Sequence, residues 1–270
     1  MERFSRKIAG VLALTVLAGA AASRAAAQDY IPGTNPMDIA NTTMSYMNTH
    51  INNITLENMT RGKGRGSSKS VRRKTTLSPM RVAVLPASSL SGVRLAPAGA
   101  AALGYRPVAS VREEAKRAFI ARIAGMNPQA GSMLAKGMKS FDMFAEFPKM
   151  VGDEGLKGNH VADALAACLV GTWVASKGKL VDPDNAGVRV VRARIATALL
   201  ADPRMKSAAF RQRLGDELQL MTVFVLSGFG GALKTGQQAV YGNAMAGLFQ
   251  GMTGVDPRSL ALTSKGFVRA

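Results

Sequence analysis

The chain has 270 residues, 47% of them hydrophobic, which is enough for a folded core, and it carries a formal net charge of +18. Its single cysteine excludes an internal disulfide, and its two histidines exclude a three-histidine zinc site. Neither His-Glu-x-x-His nor Gly-x-Ser-x-Gly occurs, so the common zinc-protease and serine-hydrolase signatures are missing. We therefore assign no catalytic, cofactor-binding or metal-binding residue from the sequence, and we expect no cofactor.

Residues 1–27 have the three zones of a secretory signal peptide. Three basic residues precede an apolar run over residues 8–22, which is shorter than the about 20 residues that a transmembrane helix needs. Ala25 and Ala27 then form a small-residue cleavage site before Gln28. The pattern predicts export through a cleaved signal peptide to the periplasm or the medium, with no transmembrane span in the mature chain. A retained membrane anchor is the alternative.

Residues 28–58 are rich in Met, Asn and Thr and contain a heptad-like apolar stripe. Asn and Thr lower the helix propensity of the intervening positions, because their side chains hydrogen-bond to the backbone. This segment is expected to form a weak amphipathic helix only when it is docked. The stripe consists of Met37, Ala40, Met44, Met47, Ile51 and Ile54.

A copper site is a lesser alternative function for the same segment. Met44, Met47 and His50 follow at steps of three, and thioethers favour Cu(I). A methionine stripe is more often a packing surface than a metal site.

Residues 59–104 are predicted to be a basic, disordered linker rich in Gly, Ser, Pro and Ala. From Asn58 to Arg112 the chain has no Asp or Glu but eleven Lys and Arg. We call residues 61–74 the basic segment, and its cations are candidate contacts for an anionic surface. These cations are Arg61, Lys63, Arg65, Lys69, Arg72, Arg73 and Lys74.

The basic segment suits an anionic membrane surface or a cell-wall polymer, because each cation near an acidic membrane contributes about 1 kcal/mol. Nucleic acid would attract the same charges, but no aromatic residues interleave them for base stacking, so no specific nucleic-acid recognition is expected. A plain linker without a partner is the alternative.

Residues 105–254 are predicted to form an all-α domain, a compact bundle of about six or seven helices, with the long, mostly disordered basic region before it. The first helix opens with a Ser110 and Glu113 capping box, and the second starts at Asn127 and Pro128. Later helices are expected from about residue 140, over 159–178 with Asn159 as its cap, over 185–201 with its arginines outward, from 202 past Gly215, and over 236–252. Residues 255–270 are predicted to be an irregular tail.

The helix over residues 159–178 holds the only cysteine and one histidine. Cys168 falls in the apolar stripe, so it is expected to act as a small buried hydrophobe. His160 and Asp163 are three positions apart and could form an acid-base pair, although a carboxylate at a helix start is also explained by the helix dipole. Asp163 is the first carboxylate to consider under the alternative that the protein hydrolyses an envelope polymer.

The stretch "NHVADALAACLVGTW", after the glycine-rich "GDEGLKG", resembles an uncharacterised family of exported bacterial proteins with an Asn-Val-Ala-Asp-Ala-like helix. The resemblance covers about residues 113–233, and His160 interrupts the Asn-Val step. It implies an exported all-helical domain of unknown function, with Asn159 and Asp163 as the positions of interest.

Two further patterns are weak. "GFGGALKTG" resembles a phosphate-binding loop, but Leu233 replaces the glycine required before Lys234. Asp216 and Glu217 are adjacent, which is typical of a surface or helix-end pair rather than of two catalytic carboxylates.

The leading hypothesis is a non-enzymatic envelope or secreted interaction protein, whose helical domain offers a groove or a surface for a protein partner.

Overall fold

The computed structural model describes residues 83–84 and 101–270, without the Met126 side chain. Seven α-helices lie within residues 101–270, which confirms the predicted helical fold class. They are α1 (Ala109–Met126), α2 (Pro128–Ser140), α3 (Met143–Val151), α4 (Val161–Ser176), α5 (Asn185–Leu200), α6 (Ala208–Lys234) and α7 (Gln238–Thr253). Among the described residues no helix is both long and apolar enough to span a bilayer.

Helix α4 is the centre of the bundle, and every one of its residues is buried. Alanines and a glycine make up much of its surface, so neighbouring helices approach it closely; a Cβ at Gly171 would lie 3.4 Å from Leu226. Helices α5, α6 and α7 pack around it. Burial on all sides explains why its sequence is apolar around the whole circumference rather than along one stripe.

The remaining helices form a second layer on α6. Helices α1 and α3 pack against α6, whereas α2 packs mainly against α1. Because α2 does not close onto the second half of α6, an apolar cavity remains between them. This arrangement positions the pocket described below.

The C-terminal residues form a β-hairpin, so the prediction of an irregular tail is wrong. Strand β1 (Leu260–Thr263) pairs antiparallel with β2 (Gly266–Arg269), with Leu260 opposite Arg269. Phe267 is 1% exposed and its ring lies 5.7 Å from those of Trp173 and Phe249. The hairpin also approaches α5 closely, since a Cβ at Gly187 would lie 2.2 Å from a β1 carbonyl oxygen.

Two predicted helix caps are also wrong. Helix α1 begins at Ala109, and no Ser110–Glu113 capping box forms; instead the Gln212 amide of α6 exchanges hydrogen bonds with the backbone of Val108 at 3.1 and 2.9 Å. Helix α4 begins after His160 rather than Asn159. At the start of α1 a distant group therefore satisfies the backbone, and local sequence cannot reveal it. The Asn127 cap of α2 is confirmed by its 3.0 Å bond from Ala130 N.

The folded domain also begins earlier than residue 105. Leu103 is fully buried in a 3-10 turn, and Ala83 and Val84, in the predicted linker, are buried too. The carbonyl oxygen of Ala83 accepts a 3.3 Å hydrogen bond from Arg194. These positions belong to the helical domain rather than to a solvated linker.

Candidate functional site

The predicted pair of His160 and Asp163 exists, at the start of α4. His160 Nδ1 lies 2.6 Å from Asp163 Oδ1, and Lys157 N donates to Asp163 Oδ2 at 2.8 Å. Arg192 of α5 adds two parallel bonds, Nε to Oδ1 at 2.5 Å and Nη2 to Oδ2 at 2.9 Å. Three residues thus contact one carboxylate. We call Lys157, His160, Asp163 and Arg192 the Asp163 cluster.

The Asp163 cluster is closed to solvent. Asp163 is 0% exposed, His160 5% and Arg192 7%. A general base needs a free lone pair within reach of a substrate proton, whereas both oxygens of Asp163 already accept strong bonds. The geometry is that of a structural ion pair, and it argues against the hydrolase alternative that depends on this carboxylate.

Burial of Arg192 and Arg194 corrects the prediction that the arginines of α5 point outward. Arg194 is 3% exposed and donates to the carbonyl oxygens of Ala83 and Lys265. Each guanidinium connects α5 to a neighbouring segment that is distant in sequence. Arg189 on the same helix is exposed, as predicted.

A second buried polar network joins α6 to the entry of α1. Asp216 Oδ1 accepts from Tyr105 OH at 3.2 Å, and its Oδ2 accepts from Gln212 Nε2 at 3.0 Å. Gln219 Nε2 donates to Tyr105 OH at 2.8 Å and to the carbonyl oxygen of Gly158 at 2.5 Å. The network fixes the chain before α1 and the loop before α4 on α6.

The position of Asp216 and Glu217 corrects the prediction of a surface pair. Asp216 is 0% exposed and Glu217 is 7% exposed, in the middle of α6. Burial raises the pKa of Asp216 above its ordinary value, although Gln212 and Arg112 oppose the shift. Glu217 accepts a 2.8 Å bond from Arg122 of α1. Both carboxylates join helices together.

Cys168 is confirmed as a buried hydrophobe. It is 1% exposed, and burial raises the pKa of its thiol to about 12. A thiol of this kind is a poor nucleophile at neutral pH. No cluster of three or more His, Cys, Asp or Glu suited to a metal ion occurs in the described part of the chain.

The glycine-rich stretch before Lys234 lies inside α6, so it forms no phosphate-binding loop. Gly228 instead permits close helix packing, because a Cβ there would lie 2.6 Å from the hydroxyl of Tyr241 on α7.

An apolar cavity of about 400 Å³ opens between α2, α3 and the second half of α6. We call it the α2–α6 pocket. Only two polar side chains line it, Ser227 and Lys234, and both are exposed at its edge. Its apolar walls are ordinary helical residues, which form no sequence pattern specific to a pocket. They include Leu134, Met138, Phe141, Met143, Met150 and Phe224.

The candidate anionic-surface contacts lie outside the described residues. They are Arg61, Lys63, Arg65, Lys69, Arg72, Arg73 and Lys74. The copper hypothesis on Met44, Met47 and His50, and the signal peptide over residues 1–27, lie there as well.

Comparison with known proteins identifies the family of the chain. Residues 6–269 match a family of unknown function, DUF6683. The chain belongs to this family. The predicted resemblance to an uncharacterised helical family is thus confirmed, and the match extends well beyond residues 113–233 on both sides. No curated protein and no solved structure matches the DUF6683 chain.

Two features of these sites were not predicted from the sequence: the contact between Arg192 and Asp163, and the α2–α6 pocket. Arg192 pairs with a carboxylate 29 positions earlier in the chain, and a single sequence contains no record of such a contact. Two helical glycines without a turn signal, Gly137 and Gly231, were the available sign of the pocket.

Proposed function

We propose that this DUF6683 protein is an exported, non-enzymatic interaction protein that attaches to an anionic surface through its basic segment. The enclosure of Asp163 carries the non-enzymatic part of the proposal: the carboxylate best placed for catalysis is 0% exposed and bound by Arg192. The signal-like residues 1–27 support export, and the acid-free stretch over residues 58–112 supports attachment.

Charge is distributed unevenly, which favours the basic segment over the folded domain as the attachment element. Seven cations fall within residues 61–74, whereas from Glu113 onward twenty basic residues are offset by thirteen acidic ones. Many of the domain's charges are already paired, as in Arg122 with Glu217 and Lys149 with Glu146. The surplus positive charge is therefore concentrated in one stretch, where it can follow a charged surface.

Sedimentation with vesicles and with purified cell wall tests the attachment. Protein purified after expression of the full chain is mixed with anionic vesicles, neutral vesicles or cell wall at increasing salt. We expect binding to anionic material that weakens steadily with salt, because screening shortens the range of the attraction. A variant in which the seven cations of residues 61–74 are replaced by Gln should no longer bind the anionic material.

The matched control replaces the seven uncharged residues within 61–74 with Gln and keeps every cation. This control should bind as the parent does. Binding that persists in the charge-free variant, or that ignores salt, would remove the basic segment from the proposal. Export is tested separately by the N-terminus of the recovered protein, which should be Gln28.

A further inference from the structure

We infer that the α2–α6 pocket binds a single-chain amphiphile with a terminal carboxylate, the apolar chain lying between the helices and the carboxylate meeting Lys234. This inference is independent of the basic segment and of export. A cavity of about 400 Å³ lies within the range of small-molecule sites. Its chemistry specifies the ligand more closely than its size does.

The lining excludes ligands that are polar along their length. The pocket interior is formed by Leu, Met, Phe, Val and Gly residues, and its two polar side chains lie at the exposed edge. A sugar, a nucleotide or an extended peptide would bury hydrogen-bonding groups there without partners, at a cost of about 1–3 kcal/mol for each group. An unbranched alkyl chain has no such groups.

The methionines of the pocket suit a ligand with a flexible aliphatic chain. Met138 of α2 and Met143 and Met150 of α3 line the pocket, and their thioether side chains adapt to irregular shapes. The pocket therefore suits a flexible aliphatic chain better than a rigid ring system.

Lys234 provides the charge complement at the edge of the pocket. It is the last residue of α6, exposed, and no carboxylate pairs with it among the described residues. The carbonyl oxygens of Gly231 and Ala232 accept hydrogen bonds from Thr235 and Gln237 instead of from the lysine. Its ammonium is thus available for an external anion. No Asp or Glu occurs over residues 218–255 to repel one.

Two glycines keep the pocket open at a cost to helix stability. Gly137 and Gly231 line it from opposite helices, and a Cβ at either position would meet nothing within 4 Å. Neither has a positive φ. A larger residue would fit and would raise helix stability by up to about 1 kcal/mol. Packing and backbone geometry therefore do not require these glycines, and the space beside them is open to an occupant.

Calorimetric titration with saturated carboxylates of increasing chain length, below their micelle concentrations, tests the inference. We expect one site per chain, with an affinity that rises about fourfold per added methylene until the pocket is full. An alcohol or an alkylammonium of equal length should bind more weakly than the carboxylate, by up to about fivefold for the alcohol. Lys234→Gln should remove the carboxylate preference, and Lys136→Gln, an exposed lysine of α2 outside the lining, should preserve it.

A second variant tests the inference by filling the pocket with a larger side chain. Gly231→Leu should lower affinity more than tenfold without unfolding the protein, because its side chain enters open space. Gly125→Leu is the matched control, since a Cβ there also meets nothing within 4 Å but the residue lies in α1, away from the pocket. Thermal melting of each variant shows whether it is folded.

Three results would overturn the inference: no binding by the parent protein, equal affinity in Gly231→Leu, or a carboxylate preference that survives Lys234→Gln. Binding that appears only after residues 36–58 are deleted would identify the chain's own methionine stripe as the occupant instead. A dimer that dissociates in Gly231→Leu would identify a second copy. Charge removal in residues 61–74 should leave carboxylate binding unchanged, so failure here and failure of the anionic-surface proposal are distinguishable.

Discussion

Arg192 of α5 and Asp163 of α4 form a two-bond ion pair inside the protein, with 2.5 Å between Nε and Oδ1 and 2.9 Å between Nη2 and Oδ2. Removing two charges from water is costly, and the cost is offset only when the geometry is good and the remaining lone pairs are satisfied. Here His160 and Lys157 N contact the same carboxylate. The pair thus fixes α5 and the loop before α4 against each other.

Arg192→Met should destabilise the protein strongly, because it leaves the Asp163 carboxylate buried without its main partner. We expect a loss of about 3–5 kcal/mol in the free energy of unfolding, measured by urea denaturation. Arg192→Lys should recover only part of the loss, since an ammonium cannot make two parallel bonds.

The surface pair of Arg213 and Glu114 gives the comparison. Its side chains are 59% and 54% exposed at 3.1 Å, so Arg213→Met should change the unfolding free energy by no more than about 1 kcal/mol. If Arg192→Met were equally mild, the Asp163 cluster would not be structural, and the hydrolase alternative would regain weight.

The sequence pattern predicted which apolar residues of α5 are buried, but it did not predict that two of its arginines are buried as well. Val188, Val191, Ile195 and Leu199 recur at helical spacing, and all four are buried as expected. The same rule places charged residues outside, because burying an unpaired charge is costly. Arg192 departs from the rule because Asp163 pairs with it, and that contact exists only after α4 and α5 have packed. Local patterns therefore predict the helices but not the contacts between them.

Phe267→Ala tests whether the C-terminal hairpin is an integral part of the domain. The Phe267 ring is buried between Trp173 and Phe249, so truncation should cost about 3–5 kcal/mol. Trp173 is the only tryptophan, and its emission should shift to longer wavelength as water enters. Arg269→Ala, at an exposed hairpin position, should leave both stability and emission unchanged. Equal behaviour of the two variants would mean that the hairpin contributes little.

The hairpin was missed because each strand has only four residues. A two-stranded hairpin of this size is unstable alone, and its turn, Ser264 and Lys265, lacks a strong sequence signature. Its order comes from the α4 surface, where Trp173 Nε1 and Lys177 Nζ donate to the carbonyl oxygen of Leu260. Such support is not visible in ten residues of sequence.

Asp216→Asn should change how stability depends on pH. Burial raises the pKa of Asp216 in the folded protein, so the native state binds this proton more tightly than the unfolded state does. The stabilisation from the protonated carboxyl is complete below the ordinary aspartate pKa and is lost as the pH rises through the raised value. Asn does not titrate, so the unfolding free energy of the parent minus that of Asp216→Asn should decrease as the pH rises above the ordinary aspartate pKa.

Urea denaturation of both proteins across this range measures the difference. Asp202→Asn is a useful contrast at lower pH: the pKa of Asp202 is lowered, so the corresponding difference should increase with pH up to the ordinary aspartate pKa and stay nearly constant above it. A difference for Asp216→Asn that increases with pH would contradict the raised pKa.

Cys168 should be inert in the folded protein. Its thiol pKa of about 12 leaves only about one thiolate in ten thousand at pH 8, and its sulfur is enclosed within α4 and α6. A disulfide reagent at pH 8 should therefore label the native protein only as fast as it unfolds, and label it fully within minutes in concentrated urea. The rate should increase in Arg192→Met by up to about tenfold for each 1.4 kcal/mol of stability lost, since opening of the bundle limits access. Rapid labelling of the native parent would show that the α4 interior is open to solvent.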